Sequence, residues 1–166
     1  MAYSSAASGG GVDSTADKSA KLVRTMASVV GAVFLLVGIL GFIPGITTNY
    51  DTLSFAGHES DAKLLGLFQV SILHNVVHLL FGVVGLAAAR TREASRAFLV
   101  GGGIVYLALF VYGLVIDKES GANFVPLNSA DNVLHLLLGL GMIGLGVALS
   151  REVREAVSDR TARPAR

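Results

Sequence analysis

The chain of 166 residues contains no cysteine and no tryptophan, only three prolines, and few charged residues, which make up 15% of the total. Without cysteine it has neither disulfide bonds nor thiolate metal ligands. Soluble domains usually contain about 25% charged residues. This deficit, together with 52% hydrophobic residues, predicts an integral membrane protein whose main partner is the lipid bilayer.

Signatures of catalysis and of nucleic-acid binding are also missing. The sequence has no P-loop, nucleophile elbow, H-E-x-x-H motif or paired-carboxylate arrangement, so nothing in it argues for an enzyme. The basic residues lie in three short segments beside apolar runs. Membrane topology explains that distribution, and no nucleic-acid partner is expected.

Four apolar runs predict four membrane-spanning helices, at about residues 26–43, 62–89, 97–116 and 130–149. The first run has 18 uncharged residues, enough to cross most of a hydrocarbon core of about 30 Å. The second has 28 residues with only Lys63 charged, which exceeds one perpendicular crossing. We expect Ser60 or Asp61 to cap its helix, and the helix to tilt or to begin in the outer interface.

Polar segments flank this predicted transmembrane domain, which covers residues 21–150. Residues 1–20 are rich in Ser, Ala and Gly and predict a disordered tail, whereas residues 151–166 form a polar basic tail. Eleven of the thirteen Lys and Arg residues precede span one, follow span four or lie in the loop between spans two and three. The positive-inside rule therefore predicts a multi-pass protein of the cell (inner) membrane with both termini in the cytoplasm.

The pattern N-V-x-H-L-L-x-G occurs twice, from Asn75 to Gly82 and from Asn132 to Gly139. Spans one and three align more loosely, with Gly31, Phe34 and Gly41 matching Gly103, Tyr106 and Gly113. The predicted fold is therefore an all-α four-transmembrane-helix bundle built from two parallel helical-hairpin repeats. Such repeats are related by a pseudo-two-fold axis along the membrane normal.

Helical spacing places the polar residues of spans two and four on faces that we expect to turn inward, because lipid offers imidazole no hydrogen bond. This predicted polar cluster consists of His74, Asn75, His78, Asp131, Asn132 and His135. Small residues continue the two stripes and are predicted to allow close helix packing: Gly82, Gly85, Gly139 and Gly146.

The cluster supports three hypotheses. In the first, its side chains are interhelical hydrogen-bonding groups of a structural or accessory protein that assembles with itself or with a larger membrane complex. In the second, a small carrier, channel, or metal- or proton-handling protein uses His74, His78, His135 and Asp131, either as ligands of a divalent metal or as a proton relay. In the third, His78 and His135 are axial ligands of a haem b in an electron-transfer protein.

Several longer motifs resemble one family. They are G-I-L-G-F-I-P-G-I-T-T-N-Y-D from Gly38, F-A-G-H-E-S from Phe55, L-L-G-L-F-Q-V-S-I-L-H-N-V-V-H-L-L-F-G from Leu64, and N-F-V-P-L-N-S-A-D-N-V-L-H-L-L-L-G from Asn123. Over residues 24–150 the chain resembles an actinobacterial four-span inner-membrane family described only as a domain of unknown function. The resemblance implies a small cell-membrane protein and assigns no catalytic residue.

Overall fold

The computed structural model describes residues 10–162, with side chains described over residues 17–149. Within that range the chain is mostly helical, as predicted. It forms four helices: α1 (Gly10–Leu40), α2 (Ile72–Ala88), α3 (Arg92–Val115) and α4 (Ser129–Ala162). A small antiparallel sheet lies between α1 and α2 in the sequence, with strands β1 (Thr47–Thr48), β2 (Lys63–Leu64) and β3 (Phe68–Gln69) in that order.

Three of the helices contain segments that are long and apolar enough to cross a membrane: Asp17–Leu40, Arg92–Val115 and Ser129–Leu149. The fourth, α2, is equally apolar but has only 17 residues, or about 25 Å at the rise of an α-helix. Large apolar side chains are exposed on the outer helix faces, such as Leu36, Leu80, Ile104 and Leu137. Together these features indicate a membrane protein, because such faces are stable in lipid and costly in water.

The second predicted span begins about ten residues too early. Residues 62–70 form β2, a turn and β3, and the helix starts only at Ile72, with Ser71 Oγ accepting a hydrogen bond from His74 N. Leu65 and Gly66 have positive φ angles of 54° and 70°, which reverse the chain between the two strands. Val70 N then donates to Ala62 O at 3.0 Å. The helix cap is therefore Ser71, and neither Ser60 nor Asp61.

Both ends of the described chain are helical. Residues 10–20 of the segment predicted to be disordered are part of α1, and residues 151–162 of the polar basic tail are part of α4. The first nine and the last four residues lie outside the described residues.

The helices pack as two hairpins. The most extensive packing is between α1 and α2 and between α3 and α4, and α1 also packs on α4 and α3. By contrast, α2 and α4 have no extended contact within the described residues. The polar stripes on these two helices thus do not form a direct helix–helix interface. They face a space between the hairpins.

Candidate functional site

The polar residues of α2 and α4 are held by helix N-termini with similar caps. In α2, Ser71 Oγ accepts from His74 N at 3.1 Å. In α4, Asn128 Oδ1 accepts from Asp131 N at 3.0 Å and from Ala130 N at 2.7 Å. Each cap satisfies backbone donors that a helix leaves without intrahelical partners. Because His78 and His135 each lie six residues beyond the first helical residue, the two imidazoles belong to corresponding turns.

A cavity of about 100 Å³ lies between the hairpins near these helix ends. Its polar lining consists of His74, His78, Tyr106, Asp131 and His135. The rest of the wall is apolar. It consists of Val37 from α1, residues of and beside the β2–β3 segment (Leu64, Leu65, Phe68 and Val70), and Leu134 and Leu138 from α4. The sequence predicted four of the five polar residues as candidates, and the structure brings all four to the same cavity.

Aromatic rings fix the orientation of the histidines. The rings of His74 and His78 stack with their centroids 4.4 Å apart and their planes 9° apart. Phe34 lies against His78 at 5.4 Å, and Tyr106 lies against His135 at 5.2 Å. Ring contacts of this kind restrict the side chains without using their nitrogen atoms. The imidazole edges therefore keep their hydrogen-bonding capacity.

Asp131 connects α4 to the small sheet. Its Oδ2 atom accepts hydrogen bonds from Asn128 N at 3.0 Å and from Gln69 N at 3.1 Å. The bond to Asn128 completes a reciprocal capping arrangement at the start of α4. Asn128 Nδ2 adds a second connection by donating to Leu67 O at 2.8 Å. The β2–β3 segment, which forms one wall of the cavity, is thus attached to α4.

None of the three cavity histidines makes a hydrogen bond to another helix within the described residues. His78 Nδ1 donates to His74 O, which lies in the same helix, at 3.0 Å. His74 Nδ1 and His135 Nδ1 are buried and have no hydrogen-bond partner among the described residues. Buried polar atoms normally have a partner. Both imidazoles line the cavity, and their Nδ1 atoms have no hydrogen bond within the described residues that a bound molecule would have to replace.

The two asparagines of the predicted cluster lie elsewhere. Asn75 is packed against Gly41 and Asn132 against Gly113, so that a Cβ atom at either glycine would overlap the amide. Both asparagines are buried, but neither lines the cavity. Each fits between the two helices of its own hairpin, where only glycine leaves enough space.

The glycines expected at helix contacts lie against the partner helix of their hairpin or against α3. A Cβ atom at Gly82 would lie 2.8 Å from Gly31 O, and one at Gly139 would lie 3.0 Å from Gly103 O. At Gly85 it would lie 2.7 Å from the Phe98 ring, and at Gly146 it would lie 2.7 Å from a methyl group of Val100. None of these contacts joins α2 to α4.

The metal-binding and haem hypotheses can be compared with this geometry. Among the described residues, no group of three or more His, Cys, Asp or Glu side chains is arranged to hold a metal ion. The cavity of about 100 Å³ is also well below the roughly 300–1,000 Å³ of pockets for larger ligands. It has no room for a porphyrin between His78 and His135. Its size suits a molecule of a few heavy atoms.

Tyr106 is the polar lining residue that the sequence did not predict for the site. Its alignment with Phe34 in the repeat was visible, but a tyrosine in an apolar helix is equally compatible with packing. Tyr106 stacks on Phe34 at 5.4 Å and is buried. Its position at the cavity depends on how α3 packs against α1, which the sequence pattern does not encode.

Comparison with known families gives one match. The family described as "Domain of unknown function (DUF4383)" matches residues 24–148. The chain belongs to this family. The matched range contains all five polar residues of the cavity, the whole of α2 and α3, and parts of α1 and α4. No curated protein and no solved structure matches the chain.

Proposed function

We propose that this DUF4383 protein crosses the cell membrane four times and binds a small polar solute in the cavity between its two hairpins, as a carrier or solute-handling protein. The observation that carries the proposal is a cavity lined by five polar side chains, two of which, His74 and His135, have a buried Nδ1 atom without a hydrogen-bond partner among the described residues. Ionisable groups inside a membrane domain are costly and usually functional.

The proposed topology counts α2 as the fourth span. Its 17 residues are a few residues short of a typical span, and the sheet residues that precede it extend the same end of the molecule. The Lys and Arg distribution supports placing both termini in the cytoplasm. The loops that contain the sheet and residues 117–128 are then on the outer side, and so is the end of the bundle at which the cavity lies.

We also propose that the two hairpins are repeats of one ancestral unit. Three contacts in the first hairpin have counterparts at the aligned positions of the second. The Gly31–Gly82 contact corresponds to Gly103–Gly139, and the Gly41–Asn75 contact corresponds to Gly113–Asn132. The Phe34–His78 ring contact corresponds to Tyr106–His135. Duplication of one hairpin accounts for matched contacts between aligned residues, which similarity of apolar composition alone does not.

A purely structural role fits the histidines less well. Polar residues that join transmembrane helices do so by hydrogen bonds across the interface. Here His78 bonds to its own helix, and the Nδ1 atoms of His74 and His135 have no partner among the described residues. Assembly with itself or with a larger complex remains compatible with solute binding, but it does not account for the cavity.

The test uses the full chain in lipid nanodiscs with ¹⁵N-labelled histidine. Ammonium, formate and acetamide serve as small cationic, anionic and neutral probes. We expect at least one probe to shift the side-chain signals of His74, His78 and His135 together and saturably, while His58 in the outer loop stays unchanged. A matched variant, Leu138→Phe, narrows the cavity without removing a polar group and should abolish the response. If no probe shifts these signals, solute binding is wrong and the structural hypothesis takes its place.

A further inference from the structure

Building on the proposed solute-binding function, we propose that the cavity selects a small cation carrying N–H donors, of the ammonium and methylammonium class. Two acceptors of the lining, His78 Nε2 and Asp131 Oδ1, have no hydrogen bond within the described residues, the carboxyl group is buried, and no lysine or arginine lines the cavity. The inference follows from counting what each polar lining atom still offers after its bonds within the protein are made.

The protonation of His78 is set by its backbone contact. A carbonyl oxygen only accepts hydrogen bonds, so Nδ1 of His78, 3.0 Å from His74 O, must carry the hydrogen atom. In a neutral ring the other nitrogen, Nε2, then has a free lone pair and is an acceptor. The stacking of His74 on the same ring keeps this orientation. Nε2 of the neutral His78 ring is therefore a hydrogen-bond acceptor before any ligand binds.

Asp131 supplies a second acceptor. Oδ2 is used by Gln69 N and Asn128 N, whereas Oδ1 accepts no hydrogen bond within the described residues. The carboxyl group is only 2% exposed and lies in the first turn of α4, where the helix dipole favours a negative charge. A carboxylate in this position gives the cavity its only formal charge.

No counter-charge is built into the site. Among the described residues, no lysine or arginine lines the cavity. The two lysines that lie outside the basic segments are used elsewhere, since Lys63 pairs with Asp61 (Nζ–Oδ1 3.0 Å) and Lys118 donates to Gly113 O. A buried carboxylate with backbone hydrogen bonds but no counter-charge is stabilised further by a cation. A bound cation would supply the missing charge.

Two further features favour an N–H cation over a bare metal ion. The described residues contain no metal-binding group of three or more ligands. The Tyr106 ring, which lies against the ring of His135 at 5.2 Å, presents an aromatic surface next to the imidazoles, and such surfaces attract ammonium groups. The imidazoles of His74 and His135, whose Nδ1 atoms have no partner among the described residues, each contribute one acceptor nitrogen when the ring is neutral.

The experiment titrates the full chain in nanodiscs at constant pH and ionic strength with ammonium, methylammonium or potassium chloride. Potassium has nearly the radius of ammonium but no N–H donor. We expect ammonium and methylammonium to shift the signals of the three cavity histidines saturably, and potassium at the same concentration to shift none. Asp131→Asn should weaken ammonium binding by about tenfold or more, because a charge-assisted hydrogen bond is lost.

The controls separate the loss of the Asp131 charge from a loss of folding. Asn at position 131 can still accept from Gln69 N and Asn128 N, so unchanged exchange protection of these amides verifies that the fold is intact. Asp61→Asn removes the same charge outside the cavity, where a hydrogen bond from Lys63 lowers the pKa of the exposed carboxyl, and should leave binding within about twofold. Tyr106→Phe removes one hydroxyl group, keeps the ring, and should retain selectivity for ammonium over potassium.

The outcomes distinguish this inference from the function on which it rests. Equal responses to potassium and ammonium, or undiminished ammonium binding in folded Asp131→Asn, would overturn the N–H cation. Binding of formate or acetamide without binding of ammonium would also overturn it, while the cavity would still be a solute site. A response to none of the probes would overturn both proposals.

Discussion

Gly31 in α1 and Gly82 in α2 lie so close together that their backbones are in direct contact. A Cβ atom at Gly31 would come within 3.0 Å of Gly82 O, and one at Gly82 within 2.8 Å of Gly31 O. The aligned pair in the second hairpin, Gly103 and Gly139, has the same reciprocal contact at 2.8 Å and 3.0 Å. This approach brings the helices of each hairpin together and leaves the bulkier side chains for the space between the hairpins.

The first prediction concerns this contact. Gly103→Ala should destabilise the protein by about 2 kcal/mol or more, because the new methyl group meets backbone atoms of α4 that cannot move independently. Gly101→Ala is the matched control in the same helix, since a Cβ atom there has nothing within 4 Å. It should be neutral, or stabilising by up to about 1 kcal/mol. Unfolding in mixed micelles measures both. Equal changes in the free energy of unfolding for Gly101→Ala and Gly103→Ala would contradict the close approach of Gly103 to α4.

The second prediction concerns the attachment of the sheet to α4. Asp131→Ala removes the acceptor of Gln69 N and Asn128 N and should cost about 1–3 kcal/mol, because two partly buried donors lose their partner. Asp131→Asn keeps an oxygen atom in place and should cost less. Amide hydrogen exchange at Gln69 and Asn128 reports the change directly. Faster exchange in the alanine variant and near-normal exchange in the asparagine variant are expected.

The third prediction tests the strained turn between β2 and β3. Leu65 has a φ angle of 54°, a region that costs a non-glycine residue about 1–2 kcal/mol. Leu65→Gly relieves this strain and should leave stability unchanged or raise it, although an exposed apolar side chain is lost. Leu67→Gly, directly before β3, removes a similarly exposed leucine from a residue without positive φ. It should be the more destabilising of the two by thermal unfolding.

The fourth prediction concerns the proposed topology. Reporter fusions at Asp51 and Glu119 should be located outside the cell membrane, and fusions at Glu93 and at the C-terminus should be cytoplasmic. The reason is the concentration of Lys and Arg in the tails and in the loop between α2 and α3. An outside signal at Glu93 would mean that α2 does not cross the membrane. The cavity would then have to be assigned to a different depth.

The sequence predicted the helical character of the chain and most of the polar residues of the cavity. Apolar runs interrupted by charges identify membrane helices without knowledge of their neighbours. The repeated N-V-x-H-L-L-x-G pattern drew attention to His78 and His135, and helical spacing added His74 and Asp131. These features are local in sequence, because they depend on composition and on the periodicity of a single helix.

Where α2 begins was not predictable in the same way. Residues 62–71 are nearly as apolar as the helix that follows, so composition gave no boundary between sheet and helix. The decisive features are the positive φ angles of Leu65 and Gly66 and the pairing of β2 with β1 and β3. Strand pairing is a contact between distant residues. A single apolar run does not reveal it.

The sequence by itself determined that this chain is an apolar helical protein carrying a small set of imidazole, amide and carboxyl groups. Only the tertiary structure decided how these groups divide, with Asn75 and Asn132 packed against glycines and the three histidines, Asp131 and Tyr106 around one cavity. The physical reason is that a helix face fixes the direction of a side chain, whereas the packing of two hairpins and a sheet fixes what that side chain meets.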